Sequence, residues 1–379
     1  MILDSDNGMR LAIVHDNFAQ MGGAERVTEA FHRTLPEADL ISTLMVQDRL
    51  TPHLKKQKIR TTWMQYLPWK ARLFRHYFLL YPFAVEGINL EPYDLVITSC
   101  FGYAKGVRRR KGAVHICYCH NPMRWVWRTE DYVSREGMSP LKRMALRLLL
   151  KPLKAWEMRA AKQPDVYIAN STVVAERLKS AFGIDSEVIP PPIDTARFRP
   201  REGEPLQPGE FYLVLSRLAT YKRTELAVEA CTRLGRKLVV IGDGPDRKRL
   251  EAMAGPTVTF MGRLPDPAVE DHVRRCTALL FPGEEDFGMA PLEINAAGKP
   301  VIAFRGGGAT ETVREGINGI FFDEPKGDSL ADAIVHFEGI EWNASVIREH
   351  AESFSLETFQ QRFFRVLNRV APDMVHVRS

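Results

Sequence analysis

The sequence predicts an α/β protein made of two Rossmann-like domains that face each other across a cleft. Three observations support this fold class. Short apolar runs typical of buried strands alternate with helical segments along nearly the whole chain. A glycine loop follows the first strand, as in nucleotide-binding domains. Three consecutive prolines, Pro190–Pro192, interrupt the series as a stiff hinge, and the same alternation then begins again.

The first domain is predicted to span residues 9–195. It opens with the strand LAIVH, after which Gly22 and Gly23 lead into an amphipathic helix. Its other strands are predicted in ADLISTLM, YDLVITSC, GAVHICYCH and DVYIANS. Because helical segments separate most of these runs, we expect a parallel sheet with crossover helices.

The second domain is predicted to span residues 196–355 and repeats this pattern. Its strands are predicted in EFYLVLSRL, KLVVIGDG, TVTFMG, TALLFPG, KPVIAF and GIFF. A closing helix at 356–370 follows a serine cap. Its apolar stripe consists of Leu356, Phe359, Phe363 and Val366. We expect this helix to cross back to the first domain and to pack across both domains.

Composition limits the class of protein. The 379 residues are enough for two domains, and 45% hydrophobic with 26% charged residues is typical of soluble globular chains. No apolar stretch reaches the roughly 18 residues of a membrane span, and MILDSDNGMR lacks the features of a secretory signal. Five cysteines without paired spacing favour free thiols in a reducing cytoplasm. Cys117, Cys119 and His120 are interpreted as part of a buried strand, because no second pair completes a metal site.

Positive charge is concentrated in residues 51–162. This window holds 22 basic and 7 acidic residues, a balance of +15, although the whole chain carries only +5. Its basic residues are mixed with Trp, Tyr, Phe and Leu in four segments: LKKQKIR, WKARLFRHYFLLYPF, VRRRKG and LKRMALRLLLKPLKAWEMRAAK. Such mixtures suit an anionic bilayer surface, so the window predicts a peripheral membrane contact. The competing interpretation is that this basic patch binds nucleic acid, but no nucleic-acid-binding motif supports it.

For each basic segment alone, a solvated basic face over a core-facing stripe is an equally good interpretation. In the last segment, helical spacing relates five apolar residues: Leu141, Met144, Ala145, Leu148 and Leu149. Pro152 is expected to kink or end that helix.

Two cations are predicted to bind phosphate. Arg217 follows a strand of the second domain, and Lys222 lies in the loop before the next helix. A guanidinium grips phosphate oxygens and a lysine adds a movable charge, so the two could neutralise a diphosphate. The alternative is ordinary surface solvation.

Two glutamates, Glu285 and Glu293, stand eight positions apart in the stretch EDFGMAPLE. The flanking runs predict a strand, a turn and a helix start, an arrangement that binds ligands at the carboxyl ends of parallel strands. Glu285 is expected in the loop and Glu293 near the first helical turn. Free N–H groups at the helix start would suit an anionic phosphate. The two carboxylates can bind sugar hydroxyls, and the backbone N–H groups can bind a diphosphate. Together they predict a sugar-nucleotide site.

Further glycines and one histidine are weaker candidates. Gly242 and Gly244 permit close approach of a nucleotide, but Arg247 stands where a dinucleotide fingerprint needs its third glycine. Arg263, after a strand, could border a base pocket. His120 ends a strand and could act as a base or bind a sugar hydroxyl, although lone histidines are usually structural.

These pieces, in this order, resemble the family 4 retaining glycosyltransferases of GT-B architecture over about residues 9–370. The most specific part is the pair of glutamates with seven residues between them. The resemblance implies that Glu285 lies by the donor sugar and that Glu293 binds the nucleotide ribose. Arg217 and Lys222 match the family's diphosphate clamp, and His120 matches a histidine near the donor sugar.

The resemblance also implies the rest of the donor site. Gly22 and Gly23 match the N-terminal glycine loop that closes over the phosphates. Backbone N–H groups near the sugar and the diphosphate would come from Gly288, Met289 and Ala290. The predicted donor-binding set is completed by Phe287, Gly242, Gly244 and Arg263. The predicted catalytic set is His120, Arg217, Lys222 and Glu285.

The motif EEDFGMAPLE, together with the earlier HNPMRW, most resembles the mannosyltransferase branch that builds bacterial polysaccharides from GDP-mannose. Asp286 replaces a glycine that is more usual in the family. Enzymes of this fold need no bound metal, and the sole Asp-x-Asp here, Asp4-Ser5-Asp6, precedes the first strand. The acceptor is expected to be a glycan or a lipid-linked saccharide at the inner face of the plasma membrane.

Three alternatives stay open at this point. A UDP-sugar could replace GDP-mannose as the donor. The chain could bind a sugar nucleotide without catalysis, although Glu285, Glu293, Arg217 and Lys222 are all intact. An NAD-linked oxidoreductase is the third alternative, and the missing third glycine counts against it.

Overall fold

The computed structural model describes residues 9–20, 22–127, 140–199 and 209–372. The chain divides into two compact units. The first contains Met1–Pro190 together with Phe359–Ser379, and the second contains Pro191–Thr358. The division therefore falls inside the run of three prolines.

The first unit is built on a seven-stranded parallel sheet in the order β3-β2-β1-β4-β5-β6-β7. The strands are β1 (Leu11–His15), β2 (Asp39–Ser42), β3 (Ile59–Thr61), β4 (Leu95–Cys100), β5 (Val114–Cys119), β6 (Val166–Ala169) and β7 (Glu187–Val188). Strands β1 and β4 are buried along their whole length. Their continuous apolar runs are what a parallel sheet covered on both faces requires.

Among the described residues of the first unit, six α-helices precede its last strand. They are α1 (Gly23–Thr34), α2 (Lys70–Leu73), α3 (Tyr81–Glu86), α4 (Arg124–Trp127), α5 (Pro140–Ala160) and α6 (Thr172–Phe182). The start and the end of helix α6 are determined by capping residues. The Ser171 hydroxyl accepts from the Val174 N–H at its start, and Gly183, at φ 71°, ends it in the left-handed conformation.

The second unit repeats the plan with six parallel strands in the order β10-β9-β8-β11-β12-β13. The strands are β8 (Phe211–Leu215), β9 (Leu238–Ile241), β10 (Val258–Gly262), β11 (Cys276–Phe281), β12 (Val301–Phe304) and β13 (Gly319–Phe322). The helices are α7 (Thr224–Leu234), α8 (Arg247–Met253), α9 (Asp266–Arg275), α10 (Met289–Ala296), α11 (Ala309–Thr312), α12 (Gly327–Glu338), α13 (Ala344–Glu352) and α14 (Leu356–Val370).

Helix α14 returns the end of the chain to the first unit, as predicted. The Ser355 hydroxyl accepts from the Thr358 N–H at its start, which is the expected serine cap. From Phe359 onward the helix belongs to the first unit. The rings of Phe359 and Phe363 lie 5.1 and 5.0 Å from that of Phe31 on α1, so the apolar stripe is core.

All eleven predicted strands are present, and the structure adds β3 and β7. These edge strands have three and two residues, too few to produce a readable pattern. Helix α5 does not end at Pro152 but continues to Ala160, and a kink at Pro152 stays a prediction.

The apolar stripe of α5 is exposed at Met144 and Leu148, so of the two interpretations left open for this segment the core-facing stripe is the wrong one. Met144 and Leu148 are 55% and 56% exposed, whereas Leu153 is buried. Leu141 of the same stripe lies outside the described side chains. Over the described residues, no helix is both long and apolar enough to cross a membrane.

Candidate active site

Each sheet has one point where the strand order reverses. It lies between β1 and β4 in the first unit and between β8 and β11 in the second. Crossover helices on either side of such a point leave the sheet in opposite directions, which opens a crevice at the carboxyl ends of the two strands. Ligands of open α/β sheets bind there, so the loops that follow these strands are the candidate ligand-binding loops.

Lys222 and Glu285 meet at the reversal point of the second sheet. Lys222 ends a 3₁₀ turn, Thr220–Lys222, after β8, and Glu285 lies in the loop after β11. The Lys222 ammonium forms a direct ion pair with Glu285 Oε1, and the two side chains are 14% and 23% exposed. The structure thus brings together two of the four predicted catalytic residues.

Arg217 lies at the same edge, two residues after the end of β8. Its side chain is exposed and forms no ion pair with any residue that the structure describes. The guanidinium is therefore available to a ligand, while Lys222 is already held by a carboxylate.

The loop that carries Glu285 is held between two neighbouring loops through glycines. A Cβ on Gly283 would lie 2.9 Å from backbone atoms of Lys222. On the other side, a Cβ on Gly308 would lie 2.2 Å from the Cα of Phe287, and the Gly308 N–H donates to Glu285 O at 2.8 Å. These contacts fix the Glu285 backbone between β8 and β12, the strands on either side of β11.

Helix α10 begins directly after this loop and is uncapped. Gly288, at φ 80°, is its N-cap, and no side chain accepts from its first N–H groups. Pro291 has no N–H, so the donors at this end come from the backbone of Gly288, Met289 and Ala290. An uncapped helix start with its partial positive charge suits an anion.

Glu293 is the fifth residue of α10, just past the first turn, and is 7% exposed. Apart from Asn295 the other residues of this helix are apolar, and a glutamate is rarely buried in such a helix unless it has a partner. Phe287 is also buried, and its ring lies 6.0 Å from that of Phe354 in the core. Its predicted donor contact could therefore come only through its backbone.

Gly242 and Gly244 have a structural explanation of their own. A Cβ on Gly242 would lie 1.8 Å from Ser216 O, and one on Gly244 would lie 2.0 Å from Leu218 O. These glycines let the loops after β8 and β9 touch by their backbones, so contact with a nucleotide stays a prediction. Arg263 is exposed at the end of β10, and the preceding Gly262 accepts from the Gly242 N–H at 2.8 Å.

In the first unit, Gly22 is the N-cap of α1 and Gly23 begins the helix. His120 lies at the end of β5, half-buried. Its Nε2 lies 2.9 Å from the Ser99 hydroxyl on β4, and its ring lies edge-on to that of Tyr118 at 5.2 Å. The predicted residues of the two units are therefore each found at a carboxyl edge. Their roles toward a ligand stay predictions.

Asp16 is a residue that the pattern analysis missed. It follows β1 and is completely buried. Its carboxylate accepts from the N–H groups of Phe101 and Tyr103 at 2.6 Å and of Ala104 at 2.5 Å. Burial raises the pKa of Asp16, while Lys105 and these N–H groups act in the opposite direction. Asp16 thereby fixes the loop after β4 at the reversal point of the first sheet.

A completely buried ion pair, Lys105 with Glu157, was also missed. The Nζ to Oε1 distance is 2.8 Å. Glu157 in addition accepts from the Met123 N–H at 3.0 Å and from the Trp127 indole at 2.8 Å. It therefore holds the NPMRW segment that follows His120. A single glutamate in the basic helix KPLKAWEMRAAK was the signal that could have found it.

Arg223 is the third missed residue. It sits beside Lys222 and has φ 50°, a conformation that is uncommon for a residue with a side chain. Its guanidinium lies 5.5 Å from the centre of the Phe304 ring, and its Nη1 has no hydrogen-bond partner among the described residues. Backbone strain concentrates at functional sites, so Arg223 belongs with the candidate residues.

The cysteines form no site. All five are buried free thiols, and burial raises the pKa of Cys117 and Cys119 well above the usual range. Within the described part of the chain, no three His, Cys, Asp or Glu residues are grouped so as to hold a metal ion. Asp4-Ser5-Asp6 lies outside the described residues. A cavity of about 610 Å³ in the first unit is lined by Met158, Phe182 and Arg369 and holds none of the predicted site residues.

Comparison with known families agrees with this geometry. Residues 21–197 match the family model "Glycosyltransferase Family 4", and residues 196–353 match "Glycosyl transferases group 1". The two matches adjoin and together cover most of the chain. The chain belongs to the family 4 glycosyltransferases. The reversal-point loops of the second sheet lie within the matched residues of this glycosyltransferase, whereas β1 of the first sheet precedes them.

Two relatives and two solved structures illustrate the similarity. The chain is 26% identical to human "Alpha-1,3/1,6-mannosyltransferase ALG2" over 327 residues, 74% of each protein. It is 28% identical to a "GDP-mannose-dependent alpha-(1-6)-phosphatidylinositol monomannoside mannosyltransferase" of Mycolicibacterium smegmatis over 254 residues. That match covers 60% of this chain and 64% of the mycobacterial protein, slightly less than two thirds of its length.

Among solved structures, the glycosyltransferase superposes on a sucrose-phosphate synthase from Thermosynechococcus elongatus with a TM-score of 0.72 at 17% identity, covering 96% of this chain and 100% of that one. Alr3699/HepE of Anabaena, in complex with UDP and glucose, gives a TM-score of 0.68 at 17% identity with the same coverage. These structures establish the GT-B fold, as the sequence predicted.

Proposed function

We propose that this glycosyltransferase moves a mannosyl residue from GDP-mannose onto a glycan or lipid-linked saccharide, with retention of the α configuration and without a bound metal. The observation that carries the proposal is the Lys222–Glu285 ion pair at the reversal point of the second sheet. It places a cation and an acceptor of hydroxyl hydrogen bonds side by side next to an uncapped helix start.

The proposed donor site divides the work between charge and hydrogen bonding. Arg217, Lys222 and the first amides of α10 take the diphosphate, because all three carry positive charge or free N–H groups at one edge. Glu285 orients the hydroxyls of the transferred sugar, and Glu293 takes those of the ribose. His120 and the glycine loop at Gly22 and Gly23 are proposed to complete the site on the donor's other side.

In the transfer step the bond between the sugar's anomeric carbon and the diphosphate oxygen breaks. The acceptor oxygen bonds to that carbon on the same face, and the acceptor's hydroxyl proton passes to the departing diphosphate. Negative charge grows on the leaving group, so preorganised cations lower the barrier by several kcal/mol each. The Glu285 contact keeps Lys222 in position before the donor arrives and weakens as the diphosphate takes over the ammonium. Closure at the Pro190–Pro192 hinge is proposed to exclude water.

Mannose is favoured because the human and the mycobacterial relatives are both mannosyltransferases by name. GDP is favoured because the mycobacterial relative is named as GDP-mannose-dependent. A UDP-sugar is the second candidate donor, favoured by the similarity to Alr3699/HepE, whose structure holds UDP and glucose. The acceptor is proposed to be lipid-linked because the mycobacterial relative is named for a phosphatidylinositol mannoside.

The first prediction concerns the identity of the donor and the role of Lys222. Titration with GDP-mannose, UDP-glucose and ADP-glucose should identify GDP-mannose as the tightest ligand and as the donor that is consumed. Lys222→Ala should lower turnover at least about 100-fold, because a preorganised cation on the leaving group is lost. Lys237→Ala is the matched control, since Lys237 is exposed at the amino end of β9 and should leave turnover unchanged.

Each result of that experiment is decisive for one part of the proposal. Tighter binding and consumption of UDP-glucose would replace the donor. Binding without consumption of any of the three would favour a non-catalytic sugar-nucleotide protein. Equal turnover of the Lys222 and Lys237 variants would remove Lys222 from the site.

We also propose that the first unit contacts an anionic membrane, at the inner face of the plasma membrane. The support is an aromatic surface that we define as Trp63, Tyr66, Trp69, Leu79 and Phe83, all exposed large apolar side chains. Tyr66, Trp69 and Phe83 are 89%, 75% and 72% exposed. Trp69 holds φ 45°, a strained backbone conformation for so bulky a residue. Arg72 and Arg75, also exposed, supply positive charge beside it.

The VRRRKG segment is a poorer lipid contact than its composition suggests. Arg108 pairs with Glu86, Arg109 with Asp165 and Arg110 with Asp94. Three neutralised arginines add little attraction to a negative surface, so we place the membrane contact on the aromatic surface instead.

The second prediction tests this placement with vesicles containing phosphatidylglycerol. Trp69→Ala with Phe83→Ala should reduce the bound fraction at least about tenfold, because two exposed rings no longer enter the interface. Arg108→Ala serves as the control and should bind like the unmodified chain. If the unmodified chain does not bind the vesicles, or if the double variant binds as well as the unmodified chain, the aromatic surface is not a membrane contact.

A further inference from the structure

Three polar side chains lie side by side at the carboxyl edge of the first sheet. His15 ends β1, Ser99 lies in β4, and His120 follows β5. These strands are neighbours in the sheet, and the reversal of strand order falls between β1 and β4. His15 and Ser99 are completely buried. The two histidines are therefore linked through one serine at a position where a ligand is expected.

The surroundings of His15 determine which ring nitrogen carries its proton. Nδ1 lies 2.9 Å from the Thr28 hydroxyl, 3.1 Å from the Ser99 carbonyl oxygen and 3.2 Å from the Ser99 hydroxyl. The Thr28 hydroxyl already donates its hydrogen to the Ala24 carbonyl at 2.9 Å. Since a carbonyl and a used hydroxyl can only accept, Nδ1 must carry the hydrogen.

Burial keeps the His15 ring neutral. Desolvation, with a smaller contribution from His120, lowers the pKa of His15 to about 3. The ring is held between Phe18, with ring centres 4.7 Å apart, and Phe101, at 5.7 Å. His15 is thus a fixed, uncharged donor at Nδ1 over the ordinary pH range.

The direction of the Ser99 hydroxyl follows from this. Ser99 Oγ accepts from His15, and it lies 2.9 Å from His120 Nε2. If His120 donated instead, the buried Ser99 hydrogen would have no acceptor among the described residues. Such an unsatisfied buried donor is costly. The satisfied arrangement has Ser99 donating to an unprotonated Nε2 of His120.

We propose that Ser99, oriented by His15, is a positioning residue for His120: its hydroxyl donates to Nε2 and so places the single proton of the neutral His120 ring on Nδ1. The ring then offers an N–H donor at Nδ1 and has no lone pair left there to act as a base. The inference rests on the proposed function for its use, since a neutral donor suits a sugar oxygen.

The proton positions are tested by two-bond ¹H–¹⁵N spectra of the full chain with ¹⁵N-labelled histidine, which distinguish the two neutral tautomers of each ring. His120→Gln and His15→Gln assign the signals. The expected result is that both rings carry their proton on Nδ1. A proton on Nε2 of His120 in the unmodified chain would overturn the proposal without reference to any variant.

Matched variants on the same pair of strands separate positioning from folding. Ser99→Ala should remove the Nδ1–H signature of His120, and Ser99→Thr, which keeps the hydroxyl, should retain it. Thr98→Val is the control, because Thr98 Oγ1 contacts His115 Nε2 at 3.0 Å in a completely buried pair on β4 and β5. It should change only the His115 signals. An unchanged His120 spectrum in a folded Ser99→Ala chain would also overturn the proposal.

Turnover with GDP-mannose provides the functional readout. Loss of one preorganised hydrogen bond should lower kcat roughly tenfold in Ser99→Ala with little change in KM, and Ser99→Thr should restore it. Absence of turnover in the unmodified chain would contradict the proposed function, whereas the tautomer spectra would still decide the role of Ser99. Equal kcat for Ser99→Ala and the unmodified chain would refute its positioning role.

Discussion

Two buried acidic residues at the edge of the first sheet are stabilised to different degrees. Asp16 accepts three backbone N–H groups, whereas neither carboxylate oxygen of Glu25 has a hydrogen-bond partner among the described residues. Burial raises the pKa of Glu25 from 4.5 to about 8. At neutral pH the folded chain therefore holds Glu25 largely protonated, in contrast to the unfolded chain.

The third prediction follows from this proton uptake. Between pH 4.5 and pH 8 the unfolded chain binds fewer protons than the folded chain at Glu25, so its contribution to the free energy of unfolding falls as pH rises, by about 1.4 kcal/mol per pH unit. Glu25→Gln removes this titration. The free energy of unfolding in urea should be measured at pH 5 and pH 8. The value for the variant minus that for the unmodified chain should increase by a few kcal/mol from the lower to the higher pH.

Glu37→Gln is the control for Glu25, because Glu37 is exposed at the end of α1. Its stability relative to the unmodified chain should be the same at both pH values. A difference between Glu25→Gln and the unmodified chain that does not change with pH would show that Glu25 is already ionised in the folded state.

At the scale of elements, the donor site is built from loops that touch through their backbones. Gly283, Gly307 and Gly308 allow the loop after β11 to lie directly against the loops after β8 and β12. Strand order makes these three loops neighbours, since β11 lies between β8 and β12. The position of Glu285 is therefore set by contacts that no side chain could replace.

The fourth prediction isolates this packing. Gly308 has φ −67°, which suits an alanine, so the strain of an alanine there comes from the close approach of its Cβ to the backbone of Phe287, 2.2 Å from the Cα. Gly308→Ala should reduce the free energy of unfolding by about 1–3 kcal/mol through overpacking and should weaken GDP-mannose binding through displacement of Glu285. Gly339→Ala, whose Cβ would lie 3.5 Å from its nearest neighbour, should do neither. Calorimetry of unfolding and of binding measures both effects, and equal results for the two variants would rule out the proposed packing role.

At the scale of the whole molecule, the unfolding of the first unit can be followed by its tryptophan fluorescence. Five of the six tryptophans, Trp63, Trp69, Trp125, Trp127 and Trp156, lie in the first unit, and Trp342 lies in the second. Tryptophan fluorescence therefore follows mainly the first unit. A chain of two compact units need not unfold in one step, so this selectivity is useful.

The fifth prediction uses that signal. Glu157→Gln leaves the Lys105 ammonium buried without its counter-charge, which should destabilise the first unit by about 3–5 kcal/mol. The fluorescence-detected midpoint in urea should fall accordingly. Glu176→Gln, on the exposed face of α6, should leave it unchanged. A normal midpoint for Glu157→Gln would mean that the pair contributes no net stability.

The fold could be predicted from the sequence to a large extent. The continuous apolar strands of parallel sheets are strong signals, and all eleven predicted strands are present. The short edge strands β3 and β7 were missed because three and two residues carry no periodicity. The sequence left open whether the apolar stripe with Met144 and Leu148 on α5 faces the core or the outside, because helical spacing shows that residues share a face, not which way that face points.

The sequence by itself determined the two-sheet α/β plan, the family and the donor-site candidates, because these depend on local patterns and on residue types at strand ends. Only the tertiary structure decided that Lys222 is paired with Glu285 and that Arg108–Arg110 are neutralised. It also decided that Asp16 holds the loop after β4, that Glu157 pairs with Lys105 and holds the segment after His120, and that Ser99 contacts His120. Ion pairs and hydrogen bonds between residues far apart in the chain depend on strand order and loop packing, which no stretch of sequence encodes locally.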